Sequence, residues 1–148
     1  MLKQNVLIHA LEKINSKIKE LEIIADEVKS SLLSDSKSSA GDKHETARAM
    51  VQLEQEKLNK QLGEFIQMKS TLNQINPTIL HNQVGMGSLI HTTRGWYFLS
   101  VGLGQISVKD TTVFALNPQA PLGKQLMGKR VGDELVFNGN KLEILEVS

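Results

Sequence analysis

The chain has 148 residues, of which 40% are hydrophobic and 22% are charged, and its formal net charge is +1 at pH 7. This composition predicts a globular protein of one ordinary domain or two small ones. The near-neutral charge argues against tight general binding to nucleic acid. Because the sequence contains no cysteine, disulfides and thiolate metal sites are excluded. The first residues lack a signal peptide's apolar core, and no run approaches membrane-spanning length, so we expect a cytoplasmic protein.

The composition of the chain changes near Pro77. Residues 1–76 contain two glycines and no proline, whereas residues 77–148 contain nine glycines and all three prolines. The change predicts two parts, an α-helical hairpin over 1–76 and a strand-rich domain over 77–148. The expected fold class is therefore α+β.

Apolar residues in the first part recur alternately four and three positions apart. The first series is Leu7, Leu11, Ile14, Ile18, Leu21, Ala25, Val28 and Leu32. This spacing is the heptad seam of a coiled coil. A second, looser series comprises Ala47, Val51, Leu58, Leu62, Phe65 and Leu72. Gln55 and Lys69 occupy seam positions of the second series, which predicts a weaker contact there.

The two helical patterns are separated by the polar stretch "SDSKSSAGD", whose serines, aspartates and glycine favour caps and turns. Two helices of similar length around one short break predict an antiparallel hairpin with its tip near residues 35–45. Each arm of roughly 30 residues would span about 45 Å. We expect a monomer, and an intermolecular coiled coil is the alternative.

The second part predicts a small, mostly antiparallel sheet with one short helix. Strands are expected in "SLIHT", "WYFLSV", "QISV" and "TTVFAL", and in a closing hairpin around Asn138-Gly139. The stretch "PQAPLGKQLMGK" predicts the helix, which begins near a proline and stops at Gly128. Burial in so small a domain is expected to come largely from its aromatic residues, which include Trp96, Phe98, Phe114 and Phe137.

Two carboxylates lie beside a glycine at the predicted tip, in "GDKHETA". Asp42 and Glu45 have the spacing of a helix N-terminus, where Asp42 caps the helix and Glu45 reaches back in a capping box. The alternative is a metal function. Magnesium takes one or two protein carboxylates, keeps several waters and shares substrate phosphate oxygens. A pair of acids cannot enclose the ion, but it can complete a site that another molecule mainly supplies.

The same stretch resembles the tip of the Gre-type transcript cleavage factors of bacterial RNA polymerase. Their recurring pattern Gly-Asp-x-x-Glu-x-Ala is matched in register by Gly41, Asp42, Glu45 and Ala47. The last part of the chain, "APLGKQLMGKRVGDELVFNGNKLEILEV", is similar to the closing segment of that family. The resemblance covers nearly the whole chain and implies a coiled-coil hairpin followed by a small FKBP-like sheet domain.

The resemblance implies an accessory factor of bacterial RNA polymerase that has no enzymatic activity of its own. The sheet domain would dock on the rim of the secondary channel, and the hairpin would reach the active centre. There Asp42 would be the main acid associated with a Mg²⁺ ion shared with the polymerase, and Glu45 would orient a water. The polymerase would then hydrolyse the 3′ end of backtracked RNA by two-metal chemistry. No tightly bound cofactor is expected.

The resemblance also suggests residues that contact the polymerase, in the segment that matches the family's closing region. The candidates are Pro121, Lys124, Lys129, Arg130 and Asp133. Buried packing is the alternative for the apolar residues of this segment, such as Leu122, Leu126 and Met127.

The chain departs from the family directly after the two acids. The family commonly continues Asn-Ala-Glu-Tyr, whereas this chain has Thr46, Ala47, Arg48 and Ala49. Lys43 and Arg48 are candidate contacts to RNA phosphates, with a solvated helix face as the alternative. The chain is thus a divergent member by resemblance, and a second function remains open. In that function the protein occupies the secondary channel and modulates or inhibits transcription without promoting cleavage.

Two other functional classes are open on the sequence. One is a coiled-coil interaction protein unrelated to transcription. The other is a prolyl isomerase, which would need an aromatic-lined pocket, although Trp96, Tyr97 and Phe98 better suit the core and surface of a strand. The four histidines show no spacing typical of metal ligands.

Overall fold

The computed structural model describes the chain over residues 1–35 and 41–148, and its side chains over residues 1–31 and 45–148. Two long helices come first, followed by six strands and one short helix. In chain order they are α1 (Leu2–Asp35), α2 (Gly41–Asn73), β1 (Leu89–Thr92), β2 (Gly95–Leu99), β3 (Gly104–Val108), β4 (Thr111–Leu116), α3 (Pro121–Leu126), β5 (Glu134–Phe137) and β6 (Asn140–Val147). The predicted α+β fold class is confirmed. No helix in the described part of the chain combines the length and hydrophobicity needed to cross a bilayer.

The residues of the two heptad series are more buried than their neighbours along α1 and α2. Ile14 and Leu58 are buried, and every other member whose side chain is described is buried or half-buried. Gln55 and Lys69 are also half-buried, as their seam positions predict. The side chain of Leu32 lies outside the described residues.

Residues Ile14–Met68 form one compact unit, which we call the hairpin unit. Within it α1 and α2 run antiparallel, because residues 27–31 of α1 and 50–54 of α2 line one common groove. The predicted helical hairpin is therefore present. Its predicted tip near residues 35–45 includes residues 36–40, which lie outside the described part of the chain.

The second compact unit consists of Met1–Lys13 and Lys69–Ser148, and we call it the sheet unit. Its six strands form one sheet in the order β3-β4-β2-β1-β6-β5. All neighbouring strands are antiparallel except β2 and β4, which pair in parallel from Trp96↔Val113 to Leu99↔Leu116. The sheet is thus mostly antiparallel, as predicted. The helical part of the chain ends at Asn73 and the first strand begins at Leu89. The boundaries between the two compact units lie elsewhere, within α1 after Lys13 and within α2 before Lys69.

The predicted closing hairpin is present at the C-terminus. Strands β5 and β6 pair from Glu134↔Glu143 to Phe137↔Asn140, so Asn138 and Gly139 form a two-residue turn. Their φ angles are 51° and 78°. Positive φ at both central residues is the type I′ geometry that suits the twist of a hairpin, which explains the Asn-Gly sequence.

One face of the sheet packs against α3. Leu126 of this helix is fully buried, and Leu122 packs at the edge of the same cluster. The cluster also contains Ile90, Leu99, Leu116, Leu135, Leu142 and Ile144. Close approach of the chain before α3 explains Gly123, because a Cβ at this position would overlap the carbonyl oxygen of Asn117.

The opposite face of the sheet is buried as well. Phe98 and Val113 project from it and are fully buried. The sheet unit also contains the first turns of α1 and the last turn of α2, where Val6, Ala10 and Leu72 are fully buried. We infer that these helix ends cover the second face. The Lys13 ammonium supports this inference, because it donates hydrogen bonds of 3.1 Å and 2.7 Å to the carbonyl oxygens of Leu103 and Gln105.

The aromatic residues contribute less to the core than expected. Phe98 is fully buried, but Trp96 and Phe137 are half-buried and Phe114 is 45% exposed. Trp96 stacks on His91 across the β1–β2 pair, with ring centroids 4.1 Å apart. The expectation was wrong for Phe114: it points to the same face of the sheet as the buried Leu116, but the residues that cover this face leave Phe114 exposed. Aliphatic side chains supply most of the core.

A buried lysine joins the start of α1 to the segment before the sheet. The side chain of Lys3 is 2% exposed, and its ammonium donates a 2.6 Å hydrogen bond to the carbonyl oxygen of Ile79. Burial lowers the pKa of Lys3. Burial also lowers the pKa of His81, and the positive charge of Lys3 lowers it further. Simultaneous protonation of Lys3 and His81 is therefore unfavourable in the folded protein.

This arrangement predicts a loss of stability in acid. Because the folded-state pKa of His81 lies below its usual 6.5, the unfolded chain takes up the proton first. The contribution of His81 to stability is thus complete above about pH 6.5 and is lost as the pH falls through the folded-state pKa. We expect His81→Gln to flatten the decline in the free energy of unfolding between about pH 7 and pH 5. Urea unfolding at each pH, followed by circular dichroism, measures the slope.

Lys3→Met provides the second arm of this test, since it removes the repelling charge and leaves His81 in place. For Lys3→Met, the slope of the free energy of unfolding against pH should lie between the slopes of the wild type and His81→Gln. Identical slopes for all three proteins would show that this pair does not contribute to acid sensitivity.

Candidate functional site at the hairpin tip

The matched tip residues lie at the start of α2. Gly41 is the first residue of the helix, and Asp42, Glu45 and Ala47 follow within its first two turns. Asp42 thus lies within the first turn, where carboxylates interact favourably with the positive end of the helix dipole. Because Asp42 and Glu45 are three residues apart in a helix, their Cα positions lie on one side of it.

The described side chains of this segment are either exposed to solvent or partly buried in the heptad seam. Glu45 and Arg48 are exposed, whereas Ala47 is half-buried in the seam. Glu45 and Arg48 are therefore accessible to a partner molecule. The predicted roles of Asp42 and Lys43 depend on side chains that lie outside the described residues.

The donor set of the tip suits magnesium by its chemistry. Carboxylate oxygens are hard ligands, and Mg²⁺ is commonly bound by one or two of them while keeping several waters. In the part of the chain whose side chains are described, no group of three His, Cys, Asp or Glu residues is placed to hold a metal. Asp42 and Glu45 would hold the ion only together with ligands from another molecule.

The predicted docking residues lie in α3 and in the turn that follows it. Pro121 is the first residue of α3, and Pro121 and Lys124 are both exposed. Ala120 precedes the helix and makes no side-chain capping hydrogen bond. Arg130 and Asp133 are exposed and Lys129 is half-buried.

Asp133 has a structural partner within its own turn. Its backbone N–H donates to the carbonyl oxygen of Arg130 at 3.0 Å, and its carboxylate accepts a 2.8 Å hydrogen bond from the N–H of Arg130. Gly132 has φ 91°, which suits the third residue of a type II turn. Ile144 of β6 is hydrogen-bonded to both Gly132 and Asp133. Asp133 therefore helps to fix the start of β5.

The sheet unit contains a small pocket that the sequence did not predict. It has a volume of about 210 Å³ and is lined by Arg94, Tyr97, Leu122, Phe137, Asn140 and Leu142. The Arg94 guanidinium donates a 3.1 Å hydrogen bond to the side-chain oxygen of Asn140. Burial raises the pKa of Tyr97, and the nearby Arg94 partly opposes this shift. The pocket is smaller than the 300–1,000 Å³ usual for small-molecule sites.

The pocket bears on the isomerase alternative. Tyr97 and Phe137 give it two aromatic walls, whereas Trp96 stacks on His91 and Phe98 is buried in the core. Only Tyr97 of the three aromatic residues considered from the sequence therefore contributes. The sequence did not predict this pocket because its lining residues are distant in the chain. They lie in the turn before β2, in β2, in α3 and in the closing hairpin.

The solved structures that are similar to this chain include two that align with most of it. One, described as the structure of the transcription factor Gfh1, is 16% identical with a TM-score of 0.41, and the alignment covers 94% of this chain and 93% of that one. The other, GreA factor homolog 1 (Gfh1) of Thermus thermophilus, is 15% identical with a TM-score of 0.35, covering 96% and 92%. No protein-family model and no curated protein matches the sequence. Similarity at this level does not assign the chain to a family.

The turn at Asp133 gives a stability prediction. Asp133→Ala removes the acceptor of the Arg130 N–H, and we expect the free energy of unfolding to fall by about 1 kcal/mol. Asp133→Asn keeps a side-chain oxygen at the same place and should lose less than half as much. Chemical denaturation of the two variants and the wild type measures the difference. Equal stability of all three would contradict a structural role for Asp133.

Proposed function

We propose that this protein binds bacterial RNA polymerase at the secondary channel and promotes cleavage of backtracked RNA. The observation that carries the proposal is the position of the motif Gly41-Asp42-x-x-Glu45-x-Ala47. It begins the second of two long helices that form an antiparallel hairpin, as the resemblance to Gre-type factors requires. The similarity of residues 120–147 to the family's closing segment supports the same assignment.

The proposed mechanism requires only a small contribution from this chain. Mg²⁺ would supply Lewis-acid stabilisation of the phosphoryl oxygens and lower the pKa of a bound water. Asp42 would complete the coordination of the ion, and Glu45 would accept a hydrogen bond from the attacking water and so orient it. The exposed carboxylate of Glu45 suits this role because a partner's active centre can reach it.

The chain alone is expected to be inactive. Two carboxylates leave most of a magnesium coordination sphere to other ligands. The remaining ligands, the RNA and the second metal would come from the polymerase. The protein therefore acts as an accessory factor, and we propose that it works in the cytoplasm as a monomer.

A channel-binding regulator without cleavage activity is the second candidate, and the residues after the acids favour it. Arg48 is an exposed base where the family commonly has an acid, and Ala49 replaces an aromatic residue. Arg48 lies three residues after Glu45 on the same helix, so the two opposite charges are close enough to attract each other. In the cleavage role Lys43 and Arg48 would instead contact phosphates of the backtracked RNA.

Docking is proposed to involve α3 and the turn after it. Lys124 and Arg130 are exposed, and Pro121 presents an apolar ring at the exposed start of α3. The side chains of these three residues make no hydrogen bond or ion pair with the described residues, so they are the best candidates for polymerase contacts. Asp133 and Lys129 are weaker candidates, because one is used within its turn and the other is half-buried.

The cleavage proposal is tested on a stalled, backtracked complex of the polymerase from the same source, with Mg²⁺ present. We expect the wild-type protein to shorten the RNA and Asp42→Ala/Glu45→Ala to lower this rate at least about tenfold, as when groups supporting a metal site are removed. The RNA is followed by a 5′ label, and polymerase binding is measured in parallel.

Glu22→Ala/Glu56→Ala is the matched control, since it also removes two exposed acids from the hairpin unit. This variant should keep the wild-type rate. Absence of stimulated cleavage with normal polymerase binding would support the regulator instead. Absence of polymerase binding by the wild type would exclude both candidates.

The docking proposal predicts that Lys124→Glu/Arg130→Glu weakens polymerase binding about tenfold or more, because reversing charges at an interface turns attraction into repulsion. Surface plasmon resonance with immobilised polymerase measures the dissociation constant. Lys109→Glu is the control, since Lys109 is an exposed base in the turn between β3 and β4. Equal weakening by both variants would point to general electrostatic attraction rather than docking at α3.

A further inference from the structure

The hairpin unit exposes large apolar side chains on both of its helices. Ile23 and Ile24 of α1 are 51% and 41% exposed, and Met50 and Leu53 of α2 are 67% and 66% exposed. None of these residues belongs to the two heptad series. Their exposure is thus not needed to hold α1 and α2 together, and clustered apolar exposure on a folded protein commonly marks an interaction site.

Ile23 and Met50 each line one of two adjoining, shallow grooves. The first has a volume of about 300 Å³ and lies between the helices, lined by Glu27, Val28, Ser31, Met50, Val51 and Glu54. The second follows α1 and is lined by Ile23, Asp26, Glu27, Ser30 and Ser31. Because Glu27 and Ser31 line both, the grooves form one continuous surface, which we call the acidic groove.

Among the residues whose side chains the structure describes, the charged residues that line the acidic groove all have the same sign. They are Asp26 and Glu27 of α1 and Glu54 of α2, and no described lysine or arginine lines either groove. The apolar floor is therefore bordered by carboxylates. A complementary partner has apolar side chains flanked by positive charge.

The sign of the charge decides between possible occupants. A symmetric dimer through this surface would place the same patch of both copies together, so that Glu27 and Glu54 would face like charges. A nucleic acid would bring phosphates against the same carboxylates. Both arrangements are repulsive, whereas a basic protein segment is attracted.

The dimensions of the acidic groove fit a helix. From Ile23 to Ser31 the surface extends over eight residue steps of α1, or about 12 Å at 1.5 Å per residue. Two to three turns of a partner helix cover this distance. Such a helix would present apolar residues three and four positions apart to the floor, which is the usual way in which an amphipathic helix binds a groove.

We propose that the acidic groove binds a basic amphipathic helix of a protein partner. The apolar face of that helix packs on Met50, Ile23 and the groove floor, and its lysines or arginines pair with Glu27 and Glu54. The site does not depend on the proposed cleavage role, because its lining residues lie between 23 and 31 of α1 and between 50 and 54 of α2 and include neither Asp42 nor Glu45.

The test uses a fluorescent synthetic helix with leucines at heptad a and d positions and lysines elsewhere. A second peptide carries glutamate in place of every lysine. Anisotropy is measured with the full-length chain at low and moderate salt. We expect the basic peptide to bind, with affinity falling as salt is added, and the acidic peptide to bind at least tenfold more weakly.

Two variants of the full-length chain locate the binding. Glu27→Lys/Glu54→Lys reverses the charge of the border, and Ile23→Ser/Met50→Ser removes exposed apolar side chains that line the acidic groove. Each should weaken binding of the basic peptide at least tenfold. Their matched controls are Glu22→Lys/Glu56→Lys, which reverses two exposed acids outside both grooves, and Ile66→Ser, which removes an exposed apolar side chain elsewhere on α2. Both controls should bind like the wild type.

Several results would overturn the proposal. Equal affinity for the basic and acidic peptides would leave no role for the carboxylate border. Equal losses in the variants and their controls would indicate general charge attraction. Sedimentation that shows a dimer of the wild type, lost in Ile23→Ser/Met50→Ser, would assign the surface to a second copy of the chain. Circular dichroism of every variant ensures that lost binding is not lost folding.

Discussion

A sheet with two apolar faces needs cover on both sides, and this constraint shapes the whole sheet unit. Adjacent residues Leu89 and Ile90 of β1 are both buried, as are Phe98 and Leu99 of β2. Because successive side chains of a strand point to opposite faces, burial on both sides follows. The single short helix α3 covers one face. The ends of α1 and α2 supply the remaining apolar side chains of the same compact unit, so the long helices are part of the core of the sheet unit.

This arrangement gives the first turns of α1 two kinds of contact. Val6 and Ala10 are buried apolar residues, whereas Lys3 and Lys13 donate hydrogen bonds to backbone carbonyl oxygens of distant segments. A hydrogen bond from a charged donor is stronger than one from a neutral donor. The free-energy cost of removing the ammonium group from water offsets much of this stabilisation when the group is buried. The burial of Lys3 beside His81 therefore makes the attachment sensitive to protonation.

The hairpin unit separates its two possible interactions along the chain. The motif with Asp42 and Glu45 starts α2, while the residues that line the acidic groove lie between 23 and 31 of α1 and between 50 and 54 of α2. Both present carboxylates, but in different settings. Glu45 is exposed near the positive end of the helix dipole, whereas Glu27 and Glu54 border an apolar floor. The exposed carboxylate of Glu45 is accessible to a partner molecule, whereas the border of the acidic groove suits a partly apolar partner with basic side chains.

The helices and strands were largely predictable because their signals are local. Heptad spacing identified the buried faces of α1 and α2, and Asn138-Gly139 identified the closing turn through its need for positive φ. The contribution of each aromatic residue was not predictable in the same way. Phe114 is exposed and Phe98 is buried because burial depends on which face of the sheet each strand residue occupies and on what covers that face.

The sequence by itself determined the helical hairpin, the mostly antiparallel sheet and the candidate acids at the start of α2. Each of these follows from residue type and short-range spacing. Only the tertiary structure decided that the ends of α1 and α2 belong to the sheet unit, that the carboxylate of Asp133 holds its own turn, and that Glu27 and Glu54 line one groove. These features join residues that are distant in the chain or depend on backbone geometry, and neither composition nor periodicity records which surfaces meet after folding.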